Sequence, residues 1–335
     1  MLGGSAKLAA VIVDFHNHYY PPEYLAALEP SGSVLRVTTD ADGNPQVHYP
    51  GDYNVVVRGH RDIAYRESVL DEEGVDVQVI SLTTPGTHVE APAVAAKLAR
   101  ITNDAFARAC SDRPRFVPLA TLPLCDPQAS AAELVRAMDE LGMPGAMLFS
   151  NVNGVGLDDV RFQPLYEAAD ERGAVLMIHP TYPVGVEAMS EYWLMPLNGF
   201  LFDTTLAASK LVFSGVVKRY PRIRWVLGHL GGTIPYLAER LDRGWRAFKE
   251  CRVYIDRPPT EYLKKHFYYD TVNFSPGALE LAIEFAGAGH IVAGSDYPHQ
   301  IGSIPLMLET LRALPIAEGE KAGILGGNAK GLLRL

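Results

Sequence analysis

The chain has little cysteine, no excess of basic charge and no long apolar run. Its three cysteines, Cys110, Cys125 and Cys251, are odd in number and scattered through 335 residues. That excludes a disulfide framework and a Cys-x-x-Cys metal motif, and favours a reducing compartment. Lysine and arginine total 30 against 39 aspartates and glutamates, a formal charge of −9. Neither nucleic acid nor an anionic membrane is therefore an expected partner. No stretch approaches the roughly 20 unbroken apolar residues that span a bilayer, and one lysine with a short apolar run before Asp14 makes no signal peptide. A cytoplasmic protein is the expectation. With no repeat of about 20–50 residues and no low-complexity linker, residues 1–335 are expected to form a single domain.

What is present is an alternation. Apolar residues make up 48% and charged residues 21%, ordinary for a globular chain. Strand-like runs at 75–82, 116–122, 145–149, 174–179, 224–229, 267–272 and 291–294 follow a first apolar run that ends in Asp14-Phe15-His16-Asn17-His18. Helical patterns lie between them, at 95–106, 130–141, 162–172 and about 192–218. About eight β/α units predict an α/β fold, a closed (β/α)8 TIM-type barrel rather than an open sheet. Residues 30–59 break the pattern: two β-type runs flank Asp40-Ala41-Asp42-Gly43-Asn44, a hairpin signal. They predict a small β insertion after the first strand, on the side where barrel active sites lie.

The His-x-His spacing carries the chemistry. Side chains alternate along a strand, so His16 and His18 project to one face and can meet one metal ion; a helix would need a spacing of three or four. Other predicted strands end in His179, His229 and, just beyond, Asp296. In a parallel barrel all those ends surround one mouth. Three imidazoles and a carboxylate gathered there would hold a divalent metal, with water completing the shell.

Asp14 to His18, Ile178-His179-Pro180, Tyr192-Trp193-Leu194, Gly228-His229-Leu230-Gly231-Gly232, Gly294-Ser295-Asp296-Tyr297-Pro298 and the tail Ile324-Leu325-Gly326-Gly327-Asn328-Ala329 together resemble the amidohydrolase superfamily. The resemblance is to the branch of aminocarboxymuconate-semialdehyde decarboxylase and related aromatic-acid decarboxylases, and it covers nearly the whole chain. It implies a mononuclear site with His16, His18, His179 and Asp296 as ligands. His229 is similar to an unligated histidine that works on metal-bound water. Met147-Leu148-Phe149-Ser150 offers no lysine, unlike the binuclear carbamylated-lysine hydrolases. Zinc is the expected ion, with manganese the alternative.

The expected activity is metal-dependent, nonoxidative decarboxylation of a small unsaturated or aromatic carboxylic acid by metal-activated water, with His229 and Asp296 handling the proton. The same ligands permit a hydrolase or hydratase of lactonase type, and a non-catalytic metal-binding barrel is a third reading. For the anionic substrate, Arg58 resembles a carboxylate-binding arginine of the branch. Arg240 matches an arginine that reaches the substrate from a neighbouring subunit, which implies a homodimer. His299 stands where the named decarboxylase has Phe and is a candidate substrate contact, while a second tryptophan after Tyr192-Trp193-Leu194 is missing. Of the remaining histidines, His48, His60, His266 and His290 read as structural or surface residues, and His88 as a candidate pocket residue.

Overall fold

The computed structural model describes residues 11–49 and 52–335. The part of the first apolar run before Val11 lies outside the described residues. Eight strands run parallel in chain order: β1 (Val13–His18), β2 (Val77–Ser81), β3 (Phe116–Pro118), β4 (Gly145–Phe149), β5 (Val175–His179), β6 (Arg224–Leu227), β7 (Phe267–Asp270) and β8 (Ile291–Val292). β1, β2 and β3 form one sheet, and β4 to β8 form another in sequence order. Parallel bridges join them, Ala120 to Ala146 on one side and Asn17 to Tyr297 on the other. At the second seam Phe15 N–H donates to the Ala293 carbonyl at 2.7 Å and His18 N–H to the Tyr297 carbonyl at 2.9 Å. The sheet is thus closed into the expected (β/α)8 barrel.

Burial on both faces explains the composition of the strands. Every residue of β4 and β5 is buried, as a parallel sheet wrapped by helices requires, so these strands read as unbroken apolar runs instead of alternating ones. The helices start where local chemistry supplies partners for free N–H groups. The Asp126 carboxylate accepts from the amides of Gln128 and Ala129 at 3.1 and 3.0 Å, ahead of Pro127–Asp139. Asp62 caps Ile63–Glu73 through Tyr65 N–H at 3.0 Å. Such caps contribute about 1 kcal/mol each.

Two expectations are amended. The helical region predicted at about 192–218 is divided into a π turn (Met195–Gly199), a helix (Phe200–Phe213) and a short helix (Val216–Arg219). Gly215, with φ of +77°, interrupts it, because a left-handed residue ends a helix. Inside the insertion, Arg36–Thr39 pairs antiparallel with Pro45–Tyr49, and a third strand, Asp52–Val55, pairs on the other side of Pro45–Tyr49. That third strand is short and polar, so its periodicity is weak. Asn54 fastens it to the barrel: its amide donates to Tyr20 Oη and Thr84 Oγ1, both at 3.1 Å. Tyr20 follows β1 and Thr84 follows β2, so the small sheet sits at the C-terminal mouth. Among the described residues no helix is long and apolar enough to cross a membrane.

Candidate active site

Five side chains converge where β1, β5, β6 and β8 end. His16 and His18 Nε2 atoms are 3.1 Å apart, as strand alternation demands of residues two apart. Asp296 Oδ1 lies 3.2 Å from His18 Nε2 and 3.5 Å from His16 Nε2. The His179 ring centroid is 4.8 Å from that of His18 and 5.3 Å from that of His16. His229 Nε2 stands 4.0 Å from Asp296 Oδ2. One ligand atom each from His16, His179, His229 and Asp296 lies within 4.8 Å of the others, and His18, Asp296 and His299 form an overlapping group.

The outer nitrogens of His16 and His179 are occupied, which turns their inner ones toward the centre. His16 Nδ1 bonds the Asp270 carboxylate, and His179 Nδ1 donates to the Pro180 carbonyl at 2.7 Å. Asp270 also accepts from the amides of His229, Leu230 and Val272 at 3.0, 2.9 and 3.0 Å. One carboxylate therefore fixes both the His16 ring and the turn carrying His229. Sequence reading missed it. The available signal was a carboxylate inside the predicted run 267–272, which the structure makes the last residue of β7.

Backbone strain marks the same place. Asp296 and His229 have φ of +58° and +53°, a region L-residues enter at a cost of about 1–3 kcal/mol and often at functional sites. Hydrogen bonds hold the strained segment: Asp296 N–H donates to the His16 carbonyl at 2.8 Å, and Ser295 donates through N–H and Oγ to Asp14 at 2.9 and 2.7 Å. Gly294 is needed for the approach, since a Cβ there would come within 2.8 Å of His16 Cβ.

Electrostatics prepare the site for a cation. Burial holds His18 and His179 well below the usual histidine range, and lowers His229 as well. At His16 burial also favours the neutral ring, but Asp270 more than offsets it and the pKa is raised. Burial pushes the Asp296 carboxyl upward, yet His18 and the other imidazoles prevail and hold it well below the carboxylate range. Asp296 is thus an ion, and its buried Oδ1 lies close to His18 without hydrogen-bond alignment to any described residue. A buried carboxylate oxygen left without a donor is costly. Together with imidazole nitrogens turned inward, it fits a divalent metal in chemistry and in number of donors.

The other sequence candidates are placed as follows. His299, half-buried, lies ring to ring 4.9 Å from His18. Arg58 is exposed, paired with Asp62 at 2.9 Å and stacked on Tyr65 at 4.6 Å. Arg240 is exposed on the helix Ile234–Ala247. His88 is buried over the Phe149 ring at 4.3 Å, and burial lowers its pKa to about 3. Phe149 in turn faces His179 at 6.4 Å, so His88 stands behind the wall of the site. His48 bonds Thr38 within the insertion at 2.6 Å, and His290 bonds the Phe267 carbonyl at 2.8 Å, at the opposite end of the barrel. His60, read from sequence as structural or surface, is buried beside His299.

Fold and site together define a barrel metalloenzyme class, and comparison with known proteins agrees. The amidohydrolase family model matches residues 13–335, and the chain belongs to that family. It is 35% identical over 272 residues to 2-amino-3-carboxymuconate-6-semialdehyde decarboxylase of Dictyostelium discoideum, across 79% of this chain and 75% of that one. Among solved structures, 5-carboxyvanillate decarboxylase from Sphingomonas paucimobilis superposes with a TM-score of 0.86 at 27% identity, covering 98% of this chain and 100% of the other. A dihydroxybenzoic acid decarboxylase from Polaromonas sp. JS666, with bound manganese and the inhibitor 2-nitroresorcinol, superposes with a TM-score of 0.81 at 26% identity, each chain covered to 97%.

Proposed function

We propose that this protein is a metal-dependent, nonoxidative decarboxylase of a small aromatic or unsaturated carboxylic acid. The observation that carries the reading is the convergence of His16, His18, His179, His229 and an ionised, donor-poor Asp296 at one barrel mouth. The decarboxylases to which the chain is similar favour C–C cleavage over hydrolysis. In this reading His16, His18, His179 and Asp296 hold one divalent ion. Zinc suits the mixed imidazole–carboxylate set, and manganese is the alternative, as in the Polaromonas structure. When bound, the ion would act as a Lewis acid that steadies negative charge on oxygen.

The chain's own groups supply the rest. Decarboxylation requires a proton to bond to the carbon that bears the carboxylate; the C–C bond then breaks, CO₂ departs, and the electron pair returns to the unsaturated system. His229 Nε2 and Asp296 Oδ2, 4.0 Å apart, border one space and are the pair positioned to relay that proton. Burial keeps His229 neutral, so it can accept a proton and then return it. Arg240, contributed by the partner of a homodimer, would bind a substrate carboxylate. Exposed Tyr236, one turn away on the same helix, supports an interface there. Arg58 would add a second contact: its exposed i,i+4 pair with Asp62 is worth only about 0.3–0.5 kcal/mol, so releasing it costs little. The three cysteines are free, which suits a cytoplasmic location.

The test is CO₂ release from a panel of hydroxybenzoates and muconate-type acids. Activity should vanish on chelation and return with zinc or manganese, and elemental analysis identifies the ion carried. No turnover by fully loaded protein across the panel would overturn the reading.

A further inference from the structure

The segment after β5 carries Tyr192-Trp193-Leu194, a motif that the proposed reaction leaves without a task. The site itself is closed off. His16 and His18 are 0% exposed, His179 and Asp296 3%, and His229 8%. An aromatic acid is larger than the water molecule that barely reaches these groups, so part of the mouth has to move before one enters. Two excursions rise from the mouth: the insertion that follows β1, and the segment between β5 and the helix Phe200–Phe213. In a closed barrel of eight strands in sequence order, β1 and β5 stand opposite each other. The two excursions nevertheless touch, because the Trp193 ring meets the Tyr53 ring edge-on at 6.3 Å. That contact joins opposite rims of the mouth.

The segment after β5 is fixed at both roots and exposed at its tip. At the first root the buried Asp203 carboxylate accepts from Ser150 Oγ and, at 2.8 Å, from Asn151 Nδ2. Ser150 Oγ in turn accepts from Thr181 N–H at 3.1 Å, and Asn151 Nδ2 donates to the Tyr182 carbonyl at 3.0 Å. At the second root a Cβ on Gly199 would lie 2.8 Å from both Pro183 Cγ and Met189 Sδ, a close approach that draws the two roots together. Between them Tyr192 and Trp193 are 81% and 59% exposed, and both have left-handed backbones, with φ of +56° and +57°. Aromatic L-residues enter that region at a cost and stay there only where contacts compel them. The Tyr53 ring is such a contact, itself braced by the His48 ring at 5.7 Å. A strained, exposed tip held through an aromatic pair has little to lose by letting go.

We propose that Tyr53 and Trp193 form a clasp that opens to admit substrate to the barrel mouth and shuts over it. The bonds to Asp203 keep the His179 end in place while the tip carrying Trp193 swings away from the insertion. Shutting excludes water from the space bordered by His229 and Asp296, which strengthens the electrostatic interactions there. The clasp depends on the proposed activity only for what it admits, and it is open to a test without turnover.

The probe is diethyl pyrocarbonate, which carbethoxylates imidazole, with each histidine of the full chain as purified read by peptide mass spectrometry. His229 and His299 report on the mouth, since neither is a metal ligand in the proposed reading, and His290 reports on the opposite end of the barrel. In the native chain both mouth histidines should react at least about tenfold more slowly than in the urea-unfolded chain. Tyr53→Ala and Trp193→Ala should each speed them about three- to tenfold, the population change expected from losing one aromatic contact, while His290 keeps its native rate. Tyr53→Phe, which keeps the ring, should behave as the native chain does. The double alanine variant should react no faster than either single one, because one contact can be broken only once. A double variant whose acceleration is the product of the two single ones would make the rings independent shields and overturns the proposal. Mouth histidines unprotected in the native chain, rates unchanged in either alanine variant, or an equal rise at His290 overturns it as well. If the clasp behaves as expected while no acid is decarboxylated, the clasp stands and the proposed activity falls.

Discussion

At the scale of single residues, Asp270 shows how much of the site depends on a group that reaches neither substrate nor the space between the histidines. It orients His16 and satisfies three amides of the neighbouring turns. Outer partners of ligating histidines typically contribute 10–100-fold in metal affinity. Asp270→Ala should therefore weaken zinc binding by about that factor in a chelator competition, and Asp270→Asn, which keeps an acceptor, should weaken it less. Unchanged affinity in the alanine variant would deny Asp270 this role. His16, His18, His179, His229 and Asp296 were legible because each ends an apolar run. Asp270 was not, since its partner His16 is 254 residues away and it lay inside the predicted run 267–272 instead of at its end. His60 was illegible for another reason: Arg-Gly-His-Arg reads as a polar surface segment, and tertiary packing buries it, with Gly59 close against Tyr297 and the Tyr20 and His299 rings beside His60.

At the scale of elements, the barrel strands were easier to read than what decorates them. Strands buried on both faces carry long apolar runs, so β4, β5 and β6 emerged nearly residue for residue. Asp52–Val55 escaped because its pairing, and not its composition, makes it a strand. The join between β1 and the helix Ile63–Glu73 depends on Arg66, which donates to Asn17 Oδ1 and Gln78 Oε1 at 2.7 and 2.9 Å and to the His18 carbonyl. Burial lowers its pKa to about 10, so it remains a cation at neutral pH. Arg66→Met would strip several buried acceptors of their donor, each worth about 1–3 kcal/mol. We expect a loss of about 3 kcal/mol or more in urea unfolding of the chelated protein. A loss below about 1 kcal/mol would mean that water replaces the guanidinium.

At the scale of the whole molecule, the proposed homodimer is open to a test that needs no interface structure. If Arg240 serves the partner's site, a mixed dimer of Arg240→Met and His229→Asn chains has one site with both native groups. Randomly mixed variants, each nearly inactive alone, should then recover about a quarter of native turnover. No recovery, with mixed dimers confirmed by mass spectrometry, would place Arg240 in its own chain's site or outside any site. The resemblance to the family gave this arginine its role across an interface, because an exposed residue acquires such a role only once a second chain is present.

The seam between β1 and the segment after β8 has a consequence for biosynthesis. Asp14 and Ser295, bonded to each other there, are 281 residues apart, and His16, His18 and Asp296 lie on the two sides of that seam. A ribosome releases the N-terminal side first, and domains settle as their chain emerges. The two early histidines must wait for nearly the entire chain before their carboxylate partner arrives. If these groups hold one ion as proposed, its capture is a late event in the life of the nascent chain, and a polypeptide cut short before Asp296 would carry the histidines without the carboxylate.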